Sequence, residues 1–305
     1  MKYRRLGKTD LRVSVVGVGT WQFGGAWGKE FDLAEVKDMF AAAKERGINF
    51  IDTAECYGDH TSERLIGETV ENERDQWIIA TKFGHNPGSD NPPEINWRPE
   101  EVKKQLDESL SSLRTDYVDL LQFHSGADEV FVNEELWSML NNEVKAGRVR
   151  HLGISIGSNR NIYQTDKATD INASVIQVVY NRINRAPEDE VFASCQGQDL
   201  GVLARVPLAS GYLSGKYRRG DRWAEGDVRH RRKPEEIDTA LAEVEEIKAK
   251  EVPDGVEMAS WALAWCLMHP AVTCVIPGCK SVEQVLTNAA AVDLVTEQHP
   301  QDWRD

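Results

Sequence analysis

The chain of 305 residues carries 50 acidic against 36 basic side chains, a formal charge of -14, which speaks against a general nucleic-acid binder, since phosphates must be met by a basic face. Hydrophobic content of 41% with 28% charged residues suits a globular protein able to bury a sizeable core; no apolar run approaches the roughly 18 residues that cross a bilayer, and the start, Met1 to Gly7, lacks the apolar stretch of a secretion signal. Cys56, Cys195, Cys266, Cys274 and Cys279 are odd in number and show neither a CxxC pair nor a matching histidine spacing, so neither a zinc site nor a disulfide framework is indicated and a reducing cytoplasm fits.

The chain opens as a small hairpin, Lys2 to Leu6 and Leu11 to Val15, around the polar turn Gly7-Lys8-Thr9-Asp10. An apolar strand, Val15 to Thr20, leads through a glycine-rich loop into a helix from Asp32, with Leu33, Val36, Phe40 and Ala43 on one face and Gly47 as its stop. That strand–loop–helix unit then repeats. Strand Asn49–Ala54 precedes helix Ser62–Val70. Strand Trp77–Lys82 precedes a long proline-rich loop, Gly84 to Pro99, and a helix with Val102, Leu106, Leu110 and Leu113 on one face. Strand Val118–His124 precedes helix Glu134–Lys145, and strand Val149–Ser155 a short helix near Ile162. Strand Val175–Tyr180 precedes Pro187–Cys195. Strand Val202–Val206 precedes a polar excursion, Tyr212 to Gly255, holding an inserted helix, Pro234–Lys250, and then helix Val256–Met268. Strand Cys274–Ile276 precedes helix Val282–Ala291.

Eight strands, apolar on both faces and each followed by a helix, predict a closed (β/α)8 barrel over residues 1–305 as one domain. The competing doubly wound sheet lacks a GxGxxG after its first strand. The hairpin has no βα partner and is expected to plug the bottom of the barrel; the inserted helix follows strand seven.

Side chains at the carboxyl ends of barrel strands share one mouth. Asp52, Lys82 and His124 end strands two, three and four, and Tyr57 follows in the loop after strand two. An ammonium at ~4 Å from a phenol, at an effective dielectric of ~20, favours the phenolate by roughly 4 kcal/mol before desolvation. Lys82 is therefore expected to lower the Tyr57 pKa from ~10 toward the range of a proton donor. Asp52 keeps Lys82 charged, and His124 orients a substrate oxygen.

This set resembles the catalytic tetrad of the aldo-keto reductases. So does the surrounding text: Gly17-Val18-Gly19-Thr20-Trp21, Phe50 to Gly58, Ala80-Thr81-Lys82-Phe83-Gly84, Ser109 to Leu120, Pro207 to Lys216 and Ile276-Pro277-Gly278, in order along nearly the whole chain. The resemblance, to bacterial-type NADPH-dependent members, implies that NADPH delivers a hydride to the carbonyl carbon of a small molecule while Tyr57 protonates the oxygen, reversibly and with no metal. It implies that Thr20 and Trp21 flank nicotinamide and substrate, with Asp52 beneath, and that Ser155 and Gln177 bond the carboxamide. Pro207, Leu208, Ser210, Gly211 and Lys216 line the pyrophosphate path. Gly278, Lys280, Gln284 and Asn288 grip the adenosine end, with Lys280 on the 2′-phosphate favouring NADP.

The chain departs from the family at three places. Arg205 stands where a ring often underlies the nicotinamide. Thr287 replaces a carboxylate beside the adenine, and the tail after Ala291 is short. The outer pocket wall then falls to the loops Gly84–Pro99 and Tyr212–Gly255. The basic excess at Lys216, Arg218, Arg219, Arg222, Arg229, Arg231, Arg232 and Lys233 reads either as a solvated loop or as a flap over the phosphates. An inert thiol is the simpler reading of Cys56. Relatives that serve channels as slow NADPH-binding regulatory subunits supply a second functional reading, and a cofactor-free barrel lyase or isomerase a third. Neither substrate nor oligomeric state is legible.

Overall fold

In the computed structural model, residues 1–85 and 96–303 are described; most of the expected loop Gly84–Pro99 lies outside them. Among the described residues, eight parallel strands lie side by side in chain order: β3 (Val18–Gly19), β4 (Phe50–Asp52), β5 (Ile78–Phe83), β6 (Val118–His124), β7 (Val149–Ser155), β8 (Ala173–Val179), β9 (Gly201–Arg205) and β10 (Cys274–Val275). The first and last meet. Gly17 N–H donates to Val275 O at 2.9 Å and Gly19 N–H to Pro277 O at 3.0 Å, with parallel bridges Val16–Val275 and Gly19–Gly278. A Cβ on Gly19 would lie 2.6 Å from the Ile276 carbonyl oxygen, so this seam needs glycine. The sheet is thus a (β/α)8 barrel, as the alternation of strands and helices predicts.

Helices cover it: α1 (Leu33–Glu45), α2 (Thr61–Val70), α3 (Pro99–Leu113), α4 (Asp128–Phe131), α5 (Glu134–Lys145), α6 (Ile162–Asp166), α7 (Val191–Gly197), α8 (Pro234–Lys250), α9 (Met258–Leu267) and α10 (Val282–Ala289). Their starts are written locally. Asp32 and Glu35 form a reciprocal cap on α1, Asn133 caps α5, Ser281 caps α10, and Pro99 and Pro234 occupy the first turns of α3 and α8. The segment expected to run as one helix from Pro187 is divided into a 3-10 turn, Ala186–Glu188, and α7. The inserted α8 turns Ile237, Leu241, Val244 and Ile247 onto Tyr212, Leu213 and Met258, a satellite core of its own. It adds a helix beyond the one per strand, and α9 resumes the barrel. No helix among the described residues is long and apolar enough to cross a membrane.

The hairpin, β1 (Tyr3–Arg5) with β2 (Arg12–Ser14), does plug the barrel. Leu6, Leu11 and Val13 pack on an inner apolar layer of Phe50, Ala80, Leu120, Val175, Leu203 and Cys274. Side chains in strands alternate, so the inward positions two residues further on are Asp52, Lys82, Gln122, Gln177 and Arg205. A dry floor is followed immediately by a polar layer at the mouth.

Arg4 ties the plug in place. It is 1% exposed and donates to Val272 O at 2.7 Å, Leu267 O at 3.0 Å and Asp302 Oδ1 at 3.2 Å. Removing one partner of a buried charged network leaves the others unpaired, at about 3–5 kcal/mol. Arg4→Ala is therefore expected to lower the unfolding free energy in urea by about 3 kcal/mol; a change under about 1 kcal/mol would show that the plug holds by apolar contact alone.

Candidate active site

Apart from Arg205, the polar layer is one hydrogen-bonded network. Lys82, 1% exposed, gives its three ammonium protons to Asp52 Oδ2 at 2.9 Å, Thr53 O at 2.6 Å and Tyr57 Oη at 3.2 Å. The other Asp52 oxygen accepts from Gln177 Nε2 at 2.7 Å and Gln122 Nε2 at 3.2 Å. Gln122 was not singled out from the sequence. An amide between Leu121 and Phe123 in an apolar strand carries the same signal that Gln177 does: a buried amide needs partners.

Burial opposes the Lys82 charge, but Asp52 and Tyr57 more than offset it and hold the ammonium above its ordinary range. For Tyr57 the expected direction is reversed. Burial is the largest influence and pushes the phenol up to about 12, Lys82 pulling it down and Asp52 pushing it further up. Burial outweighs the cation, and Asp52, 2.9 Å from Lys82, offsets part of what remains of its pull. Burial likewise carries His124 down to about 4, against the raising influence of Glu55, so its ring is neutral at pH 7.

Tyr57 and His124 open onto a cavity of about 540 Å³ at the carboxyl ends of the strands. Its lining includes Thr20, Trp21, Ser155, Gln177, Arg205 and Pro207, then Leu208, Ser210, Gly211 and Lys216, and at the far side Gly278, Lys280, Gln284 and Asn288. The residues expected around a dinucleotide therefore share one cleft, with Lys82 beneath it. Local detail differs among them. Thr20 Oγ1 donates to Asp52 O at 2.9 Å and is held in the barrel wall. Trp21 is 38% exposed and stacks on Tyr57 with centroids 6.2 Å apart. Ser155 Oγ donates to Gln177 Oε1 at 3.3 Å. Arg205 donates from one terminal nitrogen to Ile156 O at 3.3 Å, while its buried Nε has no hydrogen-bond partner among the described residues. After it, Val206, Ala209 and Ser210 take φ of 54°, 49° and 60°, strained left-handed backbone of the kind that turns N–H groups toward an anion. Lys280 Nζ reaches Trp27 O at 2.7 Å, and Gln284 Oε1 accepts from Lys280 N–H at 2.9 Å.

The excursion after β9 folds over this cleft. Val228 N–H donates to Ala26 O at 3.1 Å, and Asp227 bridges Trp27. Arg229 forks onto Asp227 at 2.7 and 2.9 Å and lies 4.5 Å from the Trp223 ring and 5.1 Å from Tyr217. Of the basic excess, only Lys216 and Arg229 line the cleft. Arg222 instead pairs with Asp238 on α8, and Arg218 and Arg219 stand outside the cavity wall. The flap reading thus narrows to Lys216 and Arg229, and the buried box of rings around Arg229 has no linear signature. Glu55, Cys56, His85 and His124 also come together here, from three segments that no metal-ligand spacing connects.

Comparison with known proteins fits this geometry. The chain is 31% identical over 300 residues to the uncharacterized oxidoreductase YqkF of Bacillus subtilis, covering 96% of this chain and 92% of that protein. It is 29% identical over 309 residues to a probable voltage-gated potassium channel subunit beta of Arabidopsis thaliana, covering 97% and 92%. Among solved structures, the glycerol dehydrogenase AKR11B4 from Gluconobacter oxydans superposes with a TM-score of 0.82 at 26% identity, covering 100% of this chain and 98% of that one. The sequence profile described as the Aldo/keto reductase family matches residues 15–301, and the chain belongs to that family.

Proposed function

We propose that the chain, acting as one unit, is an NADPH-dependent reductase of aldehydes or ketones, running also in reverse, with Tyr57 as proton donor. The observation that carries this is Lys82 held between Asp52 and Tyr57 at the floor of a cleft. A reduced nicotinamide bound in the cleft supplies the two electrons and the hydrogen that a carbonyl carbon accepts. Tyr57 then gives its proton to the carbonyl oxygen. The Lys82 hydrogen bond stabilises the phenolate left behind, and Asp52, fixed by Gln122 and Gln177, keeps Lys82 charged and aimed. Neutral His124 donates a hydrogen bond to the same oxygen and sets the angle of approach.

The residues present fit such a cofactor. Arg205 brings an unpartnered buried nitrogen, and the left-handed turn at Ala209–Ser210 presents backbone to an anion. At the far end burial, then Arg229 and Lys29, hold Lys280 below its ordinary pKa, with Asp227 opposing them. A phosphate placed there relieves repulsion among cations, which favours NADPH over NADH. A second reading, a slowly turning regulatory subunit, draws on the likeness to the Arabidopsis channel subunit. Turnover decides: loss of NADPH absorbance with a panel of aldehydes, ketones and sugars supports the reductase, whereas tight retention of cofactor with negligible turnover supports the regulator.

Three outcomes are expected. Tyr57→Phe keeps NADPH affinity and lowers kcat by about 10²–10⁴, the usual worth of a general acid; near-normal turnover would remove Tyr57 from that role. With Tyr57 near 12 and His124 near 4, neither group titrates across neutral pH, so the reduction rate stays level from about pH 6 to 9. An inflection near pH 6.5 that disappears in His124→Gln would show that His124 titrates in the working range. Lys280→Ala weakens NADPH about 10- to 100-fold and NADH little, since a charged hydrogen bond is worth about 1.5–3 kcal/mol; equal losses in fluorescence titrations would place the 2′-phosphate elsewhere.

A further inference from the structure

Beside the proton donor lies a second constellation that carbonyl reduction does not use in full. Cys56 Sγ is 3.7 Å from His85 Nδ1 and 3.8 Å from His124 Nδ1, and His124 Nδ1 is 3.9 Å from Glu55 Oε1. One ligand atom from each of the four residues falls within 4.8 Å of all the others. In a tetrahedral zinc site with bonds of about 2.0–2.3 Å, neighbouring ligand atoms stand about 3.3–3.8 Å apart. Three of the six edges, at 3.7, 3.8 and 3.9 Å, lie within about half an ångström of that spacing; the His85 and His124 rings stack with centroids 4.2 Å apart, so one ring turns on binding to aim its Nδ1 at the ion.

Two further features point to a ligand. Glu55 is 0% exposed, and its Oε2 has no hydrogen-bond partner among the described residues, an unusual state for a buried carboxylate oxygen. Cys56, His85 and His124 all line the cavity, so an ion has a path in from solvent. The other four cysteines are buried, and Cys56 is the thiol that can meet it.

We propose that Glu55, Cys56, His85 and His124 form a binding site for a thiophilic divalent cation of the zinc class, and that its occupation inhibits carbonyl reduction. Binding replaces the S–H bond of Cys56 by a metal–sulfur bond, and the proton leaves to solvent; no electron changes hands. The mixed sulfur, nitrogen and oxygen set selects zinc, cobalt or cadmium over magnesium or calcium. The inhibition rests on the reading of His124 as the group that orients substrate: a ring fixed on a cation, with a divalent charge next to Tyr57, no longer serves that role. The binding itself does not rest on it.

The full-length protein is titrated with Co²⁺ alone while its absorption spectrum is recorded. The expected result is saturation at one equivalent, with the intense visible bands of four-coordinate cobalt and a near-ultraviolet thiolate charge-transfer band, all removed by Zn²⁺. Cys56→Ser abolishes the thiolate band, and His85→Gln weakens Co²⁺ at least tenfold, each with an unchanged thermal midpoint. A weak six-coordinate spectrum without a thiolate band, or a Cys56→Ser spectrum matching the parent, overturns the site. In a parallel assay, equimolar Zn²⁺ lowers NADPH-dependent turnover and EDTA restores it. Undiminished turnover beside saturating cobalt binding overturns the inhibitory part. A protein that binds cobalt as described but reduces no carbonyl contradicts the reductase reading while leaving the metal site standing.

Discussion

The buried contact between Lys82 and Asp52 is the constraint from which the rest of the site follows. Both are almost fully enclosed, at 1% and 3% exposure. Removing two charges from water costs several kcal/mol each, and their attraction repays this only when every remaining donor and acceptor is also met. Here each is. The third ammonium proton has one place left to go, the Tyr57 oxygen. The second carboxylate oxygen is closed by two amides. A lysine that must be charged to be satisfied thus leaves a phenol hydrogen-bonded to a cation, in the wall of the cavity. The seam between β3 and β10 bears on the same constraint. Asp52 pairs in register with Gly19, which in turn bridges Gly278. Opening the barrel there would admit water to the ion pair.

Most of this was legible because it depends on periods. A strand's alternation of two decides that Phe50 and Asp52, Ala80 and Lys82, Leu120, Gln122 and His124 share a face, and the barrel decides that the face is internal. Strand ends and helix caps such as Asp32 and Ser281 are likewise local chemistry. The residues around the cofactor cleft came from resemblance, and they line one cavity because the motifs fall at the same strand ends.

What was not legible depends on distance through space. The sign of the Tyr57 shift is a contest between burial and a cation. A pairwise estimate with Lys82 alone omits both the enclosure and the cancelling charge of Asp52. Arg218, Arg219, Arg222 and Arg229 look equivalent in the sequence, yet one lies in a cage of rings with its own aspartate and another pairs with α8 at the surface. Cysteine spacing could not report this cluster for the same reason: Cys56, His85 and His124 approach only because β4, β5 and β6 are adjacent, and adjacency of strands leaves no repeat for a linear pattern to find.

The excursion after β9 explains how a wide barrel mouth becomes a narrow cleft. Its strap runs from the Ala209–Ser210 turn to Trp27 on the loop after β3, so it spans from the seventh barrel strand to the first. Aromatic rings supply its stiffness. Arg229 lies against Trp27, Tyr217 and Trp223, and its charge is closed by Asp227 rather than left for solvent. A guanidinium caged in this way is a rigid packing element, paired with its own aspartate and held against ring faces. Lys216 and Lys280 join this closed pair in the lining of the cleft, although the protein as a whole is acidic. Near the floor the same cleft holds the rings of Trp21, Tyr57 and His124, with Arg205 beside them. The two ends of the cleft are set by two structures of different origin. The barrel places Tyr57 against Lys82, and the insertion closes the far side of the cleft.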